Sequence, residues 1–164
     1  MYNASMKMNE INAKLKCLLE NVVKTDSKIS YLVLPLHKLS EKILVSVDKV
    51  LEERHQLSYS EFDALVTLKA SNENTLSPTE LYTEMTFSSG GMTKLLKKLE
   101  SKQYVIRINN INDGRSKLVQ LTKMGDEVMQ HALKDIIAIE EKILTHISED
   151  EKETLTKLLI KAFR

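Results

Sequence analysis

The hydrophobic period of the chain changes twice between residues 102 and 122, and this limits the fold more than any other feature. Up to about Lys102 the apolar residues recur at helical spacing. Tyr104-Val105-Ile106-Arg107-Ile108 and Lys117-Leu118-Val119-Gln120-Leu121 then alternate as strands do, and after Thr122 the helical spacing returns. Between the alternating runs lies the turn-forming stretch Asn109 to Gly114, ending in Asp113-Gly114, the strongest short hairpin signal in the chain. The expectation is one two-stranded hairpin set into a helical chain. Two helices precede it. Ser77-Pro78-Thr79-Glu80 supplies a cap, a proline at the first helical position and a glutamate at the third, so a short helix runs to about Met85. Phe87-Ser88-Ser89 opens another that runs to about Lys102. Helix, tight turn, helix and hairpin in that order make a helix-turn-helix followed by a wing.

The flanks are helical. Residues 8–24 carry Ile11, Leu15, Leu18, Leu19 and Val22 at helical spacing, and a polar break follows at 24–28. Ile29, Leu32, Leu36, Leu39, Ile43, Val47 and Val50 then suit a helix reaching about Arg54; Pro35 either begins it or kinks it. Ser58 and Glu61 form a capping box for a helix to Ala70, and residues 71–75 read as a polar loop. Beyond Thr122, Met129, Ala132, Ile136, Ile139 and Ile143 make a seam suited to another helix, with Leu133, Ile137 and Leu144 beside it. Ser148 and Glu151 cap a last helix carrying Leu155, Leu158, Leu159, Ala162 and Phe163. The fold class expected is mainly α, an α+β winged helix: a three-helix helix-turn-helix core with a two-stranded wing, flanked by N- and C-terminal dimerisation helices. The divisions expected are an N-terminal extension at 1–28, a dimerisation helix at 29–54, the winged domain at 55–123 and C-terminal dimerisation helices at 124–164. The seam from Met129 to Ile143, together with Leu155, Leu158 and Phe163, has more apolar surface than so small a winged domain can cover. Met129, Ile136, Ile139, Ile143, Leu155, Leu158 and Phe163 are therefore expected in a homodimer interface.

Composition excludes other classes. With 42% apolar and 29% charged residues in 164, the chain is globular, and its 4 glycines and 2 prolines argue against a turn-rich sandwich or a glycine-rich nucleotide site. Apolar runs extend only a few residues, so no membrane span is expected, and Met1 to Asn12 lacks the pattern of a secretory signal. The single cysteine, Cys17, has no internal partner, which fits a cytoplasmic location. His37, His55, His131 and His146 include no pair at metal-binding helical spacing, and no nucleophile elbow, phosphate loop or dinucleotide fingerprint occurs. No catalytic residue, metal or cofactor is expected. Met85, Met92, Met124 and Met129 read as core filler.

The net charge of +1 conceals an asymmetry. From Gly90 to Lys123 there are eight basic residues, Lys94, Lys97, Lys98, Lys102, Arg107, Arg115, Lys117 and Lys123, against Glu100 and Asp113. That stretch carries +6 and the remainder −5. A confined basic segment suits a localised anionic partner or a solvated face. Thr93, Lys94, Lys97 and Lys98 fall on one side of the second helix and leucines on the other. Ser88, Ser89, Gly90 and Gly91 at its start allow close backbone approach, either to phosphate or to the preceding helix. At the wing tip Arg115 and Lys117 can reach a phosphate-lined groove, with Asp113 placed either to orient Arg115 or to form an ordinary surface pair. A basic helix together with a basic wing favours double-stranded DNA over the alternative, a helical protein-interaction module on the same scaffold.

The run Asp113-Gly114-Arg115-Ser116-Lys117-Leu118-Val119-Gln120-Leu121-Thr122-Lys123-Met124-Gly125 resembles the D-x-R-x-x-x-V-x-L-T-x-x-G wing signature of MarR-type winged-helix regulators. Met92 to Glu100 resembles that family's recognition helix, and Leu57 to Phe62 the start of its second helix; the likeness covers roughly Pro35 to the C-terminus. It implies a homodimeric transcriptional regulator, a repressor, whose N- and C-terminal helices interlock, Leu36 and Leu39 joining the dimer interface, with two winged domains in successive major grooves of a near-palindromic operator. It places Thr93 and Lys94 at bases, Ser88 and Ser89 near phosphate, and Arg115 in the minor groove. A small-molecule effector in the crevice between winged domain and dimer helices would oppose DNA by linkage. Lys94 stands where the family often has arginine, and Gln103 where it often has glycine, with Asn109 as a nearby left-handed candidate. Cys17 lies in the N-terminal extension, away from the place near Pro35 where the family's peroxide-sensing branch carries its cysteine, so redox sensing is not expected.

Overall fold

A computed structural model of the chain describes residues 10–14, 16–17, 20–21, 29–85, 91–110 and 116–163, with Ser30 by its backbone only. The chain divides into two compact units, Met1–Val45 and Ser46–Arg164. In the first, residues 10–14 and 16–17 are helical, and α1 begins at Ile29. α1 runs Ile29–Val50 with Pro35 inside it, so the helix neither starts at the proline nor stops there. Within this unit Leu36 and Leu39 are half-buried, whereas Ile29, Leu32, Val33 and Val45 are exposed.

The second unit holds the remaining elements. After Val50 a π-helical turn, Leu51–His55, ends at Gln56, which adopts the left-handed conformation (φ 54°). α2 spans Tyr59–Ala70, α3 Pro78–Glu84, α4 Met92–Ser101, α5 Lys123–Ile143 and α6 Glu149–Ala162. Each capping box read from the sequence forms in both directions. Ser58 N–H donates to Glu61 Oε2 at 2.8 Å and Glu61 N–H to Ser58 Oγ at 3.3 Å; Ser77 with Glu80 and Ser148 with Glu151 repeat the arrangement. Two orphan donors of the first turn are satisfied at each of these helix starts.

β2 (Val105–Asn109) and β3 (Lys117–Leu121) pair antiparallel, with Val105 opposite Leu121 and Asn109 opposite Lys117. The sheet has three strands where the sequence pattern indicates two. Thr75, the last residue of the expected polar loop, and Leu76 form β1 (Thr75–Leu76), which pairs with β3 through Thr75↔Gln120 and Leu76↔Val119, giving the order β1-β3-β2. Two residues are too few to show alternation, so this strand has no period to detect. The fold is a winged helix, as expected, with the wing anchored to the helical core by this third strand.

Leu57, Leu65, Leu68, Leu81, Leu99 and Val119 fill the core of this unit, each at 1% exposure or less. α5 packs along α2, tied by Lys69 Nζ to Asp126 Oδ2 at 2.8 Å. The seam expected to meet a second copy is divided. Met129, Ala132 and Ile136 are 3%, 0% and 6% exposed within the single chain, so Met129 and Ile136 belong to its own core and leave the expected interface set. Ile139, Ile143 and Leu155 are half-buried, while Leu133, Ile137, Leu158 and Phe163 are exposed.

Candidate nucleic-acid interface

α4 has two faces. Leu95, Leu96 and Leu99 are buried, and Thr93, Lys94, Lys97 and Lys98 are exposed. At about 100° per residue those four side chains fall within about 140° of the helix circumference, a single stripe. Among the described residues Lys94, Lys97 and Lys98 carry no ion pair, so their charge is available to a partner. The rest of the basic segment is largely occupied. Lys102 Nζ pairs with Glu61 Oε1 at 2.8 Å, Arg107 with Glu100, and Lys117 donates to the Asn109 side-chain carbonyl. Lys123 lies 3.8 Å from Glu127, both well exposed, a pair worth little. The positive surplus read from the sequence thus narrows to the α4 stripe, with Lys117 at the loop end of the hairpin. Ser88, Ser89 and Gly90 before α4, and Asp113 and Arg115 at the wing tip, lie outside the described residues.

Gly91 caps α4 with φ −132°, a conformation open to any residue, and among the described residues a Cβ there would meet Lys94 Cβ at 3.8 Å. Among the described residues, packing does not require glycine at this position.

The end of α4 is fixed by a Schellman motif. Tyr104 N–H donates to Leu99 O at 3.0 Å and Gln103 N–H to Glu100 O at 2.9 Å. Gln103 itself adopts φ 61°, so it fills the left-handed position and Asn109, within β2, does not. Thr122 then joins wing to α5. Its hydroxyl accepts Gly125 N–H at 3.0 Å and lies 2.8 Å from Gln103 O and 3.1 Å from Tyr104 O, one of which takes its proton. A Cβ on Gly125 would lie 2.2 Å from Tyr104 O, closer than any real contact. The Leu-Thr-x-x-Gly end of the signature is thus a geometric requirement: α5 must cross the end of α4 at backbone distance.

Beside α4 lies an open cavity of about 550 Å³, lined among others by Asp48 and Glu52 from α1 and the π-turn, Tyr59 and Glu61 from α2, and Lys98 and Lys102. Burial would raise the Glu61 carboxyl, but the Lys102 ammonium and the Ser58 N–H and hydroxyl hold it below its ordinary value. Burial, with Asp63, Glu140 and Asp48 nearby, raises the Tyr59 phenol. At the end of the π-turn His55 Nε2 lies 3.0 Å from Asp135 Oδ2 and Arg54 Nη1 3.3 Å from it; the His55 contact first, then Arg54, hold the Asp135 carboxyl low. The Lys102–Glu61 pair joins residues 41 apart, and nothing in the sequence marks it: Glu61 reads only as a cap and Lys102 only as one more cation.

A helix-turn-helix with an anchored wing and an unpaired basic stripe on its second helix defines the class of winged-helix regulators. The model of the family described as transcriptional regulator SarA/Rot matches residues 46–132. The chain is 30% identical over 125 residues to the HTH-type transcriptional regulator PecS of Dickeya dadantii, covering 76% of this chain and 75% of that one. It is 34% identical over 109 residues to SarZ of Staphylococcus haemolyticus, covering 65% and 70%. Among solved structures, a MarR variant of E. coli complexed with operator DNA superposes with a TM-score of 0.63 at 26% identity, over 84% of this chain and all of that one. The protein belongs to the MarR/SarA family of winged helix-turn-helix transcriptional regulators, which are not enzymes.

Proposed function

We propose that the protein is a homodimeric repressor that binds a near-palindromic double-stranded DNA operator through α4 and the wing and is released by a small-molecule effector. The observation that carries this reading is the exposed stripe of Thr93, Lys94, Lys97 and Lys98, unpaired in a segment whose other described cations mostly have partners. Thr93 and Lys94 face base edges in the major groove, and Lys97 and Lys98 neutralise phosphate. Ser88, Ser89 and Gly90 lie against the backbone, and Arg115, steered by Asp113, enters the minor groove with Lys117 beside it. The operator complex of the E. coli relative supports DNA as the partner. The exposed Leu158 and Phe163, with Leu36, Leu39, Ile139, Ile143 and Leu155 half-buried, support a second copy as the cover for these apolar groups. The cavity beside α4 is the effector's place, because a ligand there touches both the α1 end and α4. The site of action is the cytoplasm, where the DNA lies; no helix among the described residues is long and apolar enough to cross a membrane.

The test is selection from a random duplex pool followed by gel shift. A paired-half-site motif is the expected product. Arg115→Ala should weaken binding to every duplex, and Lys94→Ala should alter the half-site core at about 1–3 kcal/mol. Recovery of no DNA above background would reject the reading.

A further inference from the structure

The cation that the basic segment contributes at the end of α4 does not face outward. Lys102 Nζ donates to Glu61 Oε1 at 2.8 Å and to the backbone carbonyl of Gln56 at 2.7 Å. The Glu61 side chain is 3% exposed, and its other oxygen already accepts the Ser58 N–H at 2.8 Å. Gln56 is the left-handed residue that ends the π-turn after α1. One ammonium thus holds together the end of the recognition helix, the start of α2 and the close of the helix arriving from the N-terminal side. The adjoining Schellman motif and the Thr122 hydroxyl fix the chain just beyond it. The axis of α4 therefore has a tether at its C-terminal end that is independent of the leucines beneath it.

We propose that Lys102 is a positioning residue for DNA recognition: its ties to Glu61 and Gln56 set the angle at which α4 presents Thr93 and Lys94. It makes no phosphate contact. The proposal rests on the DNA-binding reading above. Base contacts depend on the helix angle because hydrogen bonds to base edges tolerate little misalignment, whereas phosphate attraction is long-ranged and tolerant. Loss of the tether should therefore lower discrimination between sequences and leave the electrostatic component intact.

The experiment uses the full chain and two duplexes: one selected from a random pool by the wild-type protein, and a shuffled duplex of equal length. Affinities for both are read by fluorescence anisotropy over a salt series. Lys102→Met alone leaves Glu61 buried without its partner and risks unfolding, so the informative variant is the double Glu61→Gln/Lys102→Met, which keeps an acceptor for the Ser58 N–H and removes both charges. With folding checked by circular dichroism, its affinity for the selected duplex should fall at least about tenfold, the scale of one mismatched base pair. Its affinity for the shuffled duplex and its salt slope should match wild type. Lys102→Arg, which preserves the ion pair, should retain the preference for the selected duplex. A shallower salt slope in the double variant, as for a lost phosphate contact, would overturn the proposal. So would an unchanged ratio of selected to shuffled affinity in a folded double variant, which would make the pair structural only. If the wild-type protein itself binds neither duplex, the DNA reading fails first, and this is seen before any variant is made.

Discussion

Replacing Gly125 by alanine sets two physical effects against each other. Gly125 lies in the first turn of α5, where alanine is favoured over glycine by helix propensity by up to about 1 kcal/mol. Its backbone φ is not positive, so conformation makes no demand for glycine. Space does. The added Cβ would fall 2.2 Å from Tyr104 O, 2.9 Å from Tyr104 C and 2.9 Å from Leu121 Cδ1. The leucine methyl can rotate away, but the carbonyl cannot: it accepts the Thr122 N–H at 3.0 Å, and the Tyr104 N–H is held in the Schellman motif. Relief requires α5 to move by about an ångström from the end of α4, which breaks the Thr122 cap. Overpacking of this kind costs about 1–3 kcal/mol where side chains can adjust, and a rigid backbone obstacle puts it at the upper end or beyond. The net expectation is a loss of at least about 2 kcal/mol after the propensity gain. Urea unfolding followed by circular dichroism measures it: the midpoint should fall with the slope unchanged. A variant as stable as wild type, or more stable, would refute the account of why the wing signature ends in glycine.

Gln103→Gly should stabilise the protein by roughly 0.5–1 kcal/mol, since glycine relieves the left-handed strain at the end of α4 but frees the unfolded chain; thermal melts that show a loss would contradict the Schellman assignment. Glu61, Asp126 and Asp135 are each held below the ordinary carboxylate value, Asp126 by Lys69 and then Gln130. Their contributions are full above that range and lost as pH falls through the lowered values, so unfolding free energy should decline on acidification, and less steeply in Asp135→Asn; an unchanged decline in that variant would count against the His55–Asp135–Arg54 cluster. Ile136→Asp should fail to fold, because the position is buried in the single chain, whereas Leu158→Asp/Phe163→Asp should fold and sediment at the monomer mass; a double variant that keeps the mass of two chains would move the interface elsewhere.

Features encoded locally were legible in the sequence. Each capping box is a four-residue signal, and all three form as read because their partners are three residues apart. The two longer strands show their period over five residues each. The α4 faces follow from the spacing of Leu95, Leu96 and Leu99. Long-range features were not legible. β1 is too short to have a period, and the Lys102–Glu61 tether depends on two helices crossing. A charge count makes the eight cations alike, and only the fold separates Lys94, Lys97 and Lys98 from Lys102 and Arg107. In the sequence the α5 seam from Met129 to Ile143 reads as one continuous apolar stripe. Its first part is covered by the chain's own α2, because apolar spacing shows that a face is buried but not by what. The glycine of the wing signature is visible in the sequence as a motif position; its cause, the Tyr104 carbonyl, lies in the packing of α5 over the end of α4.

The most direct test of the central claim is the salt dependence of duplex DNA binding by the wild-type protein and by Lys97→Ala. Fluorescence anisotropy should give a log affinity that falls linearly with log salt, with a slope of about −0.9 for each phosphate neutralised. Lys97→Ala, which removes one contact from each copy of a dimer, should make that slope shallower by about 1.8. A wild-type affinity indifferent to salt, or a Lys97→Ala slope equal to wild type, would contradict the assignment of the exposed α4 stripe to DNA.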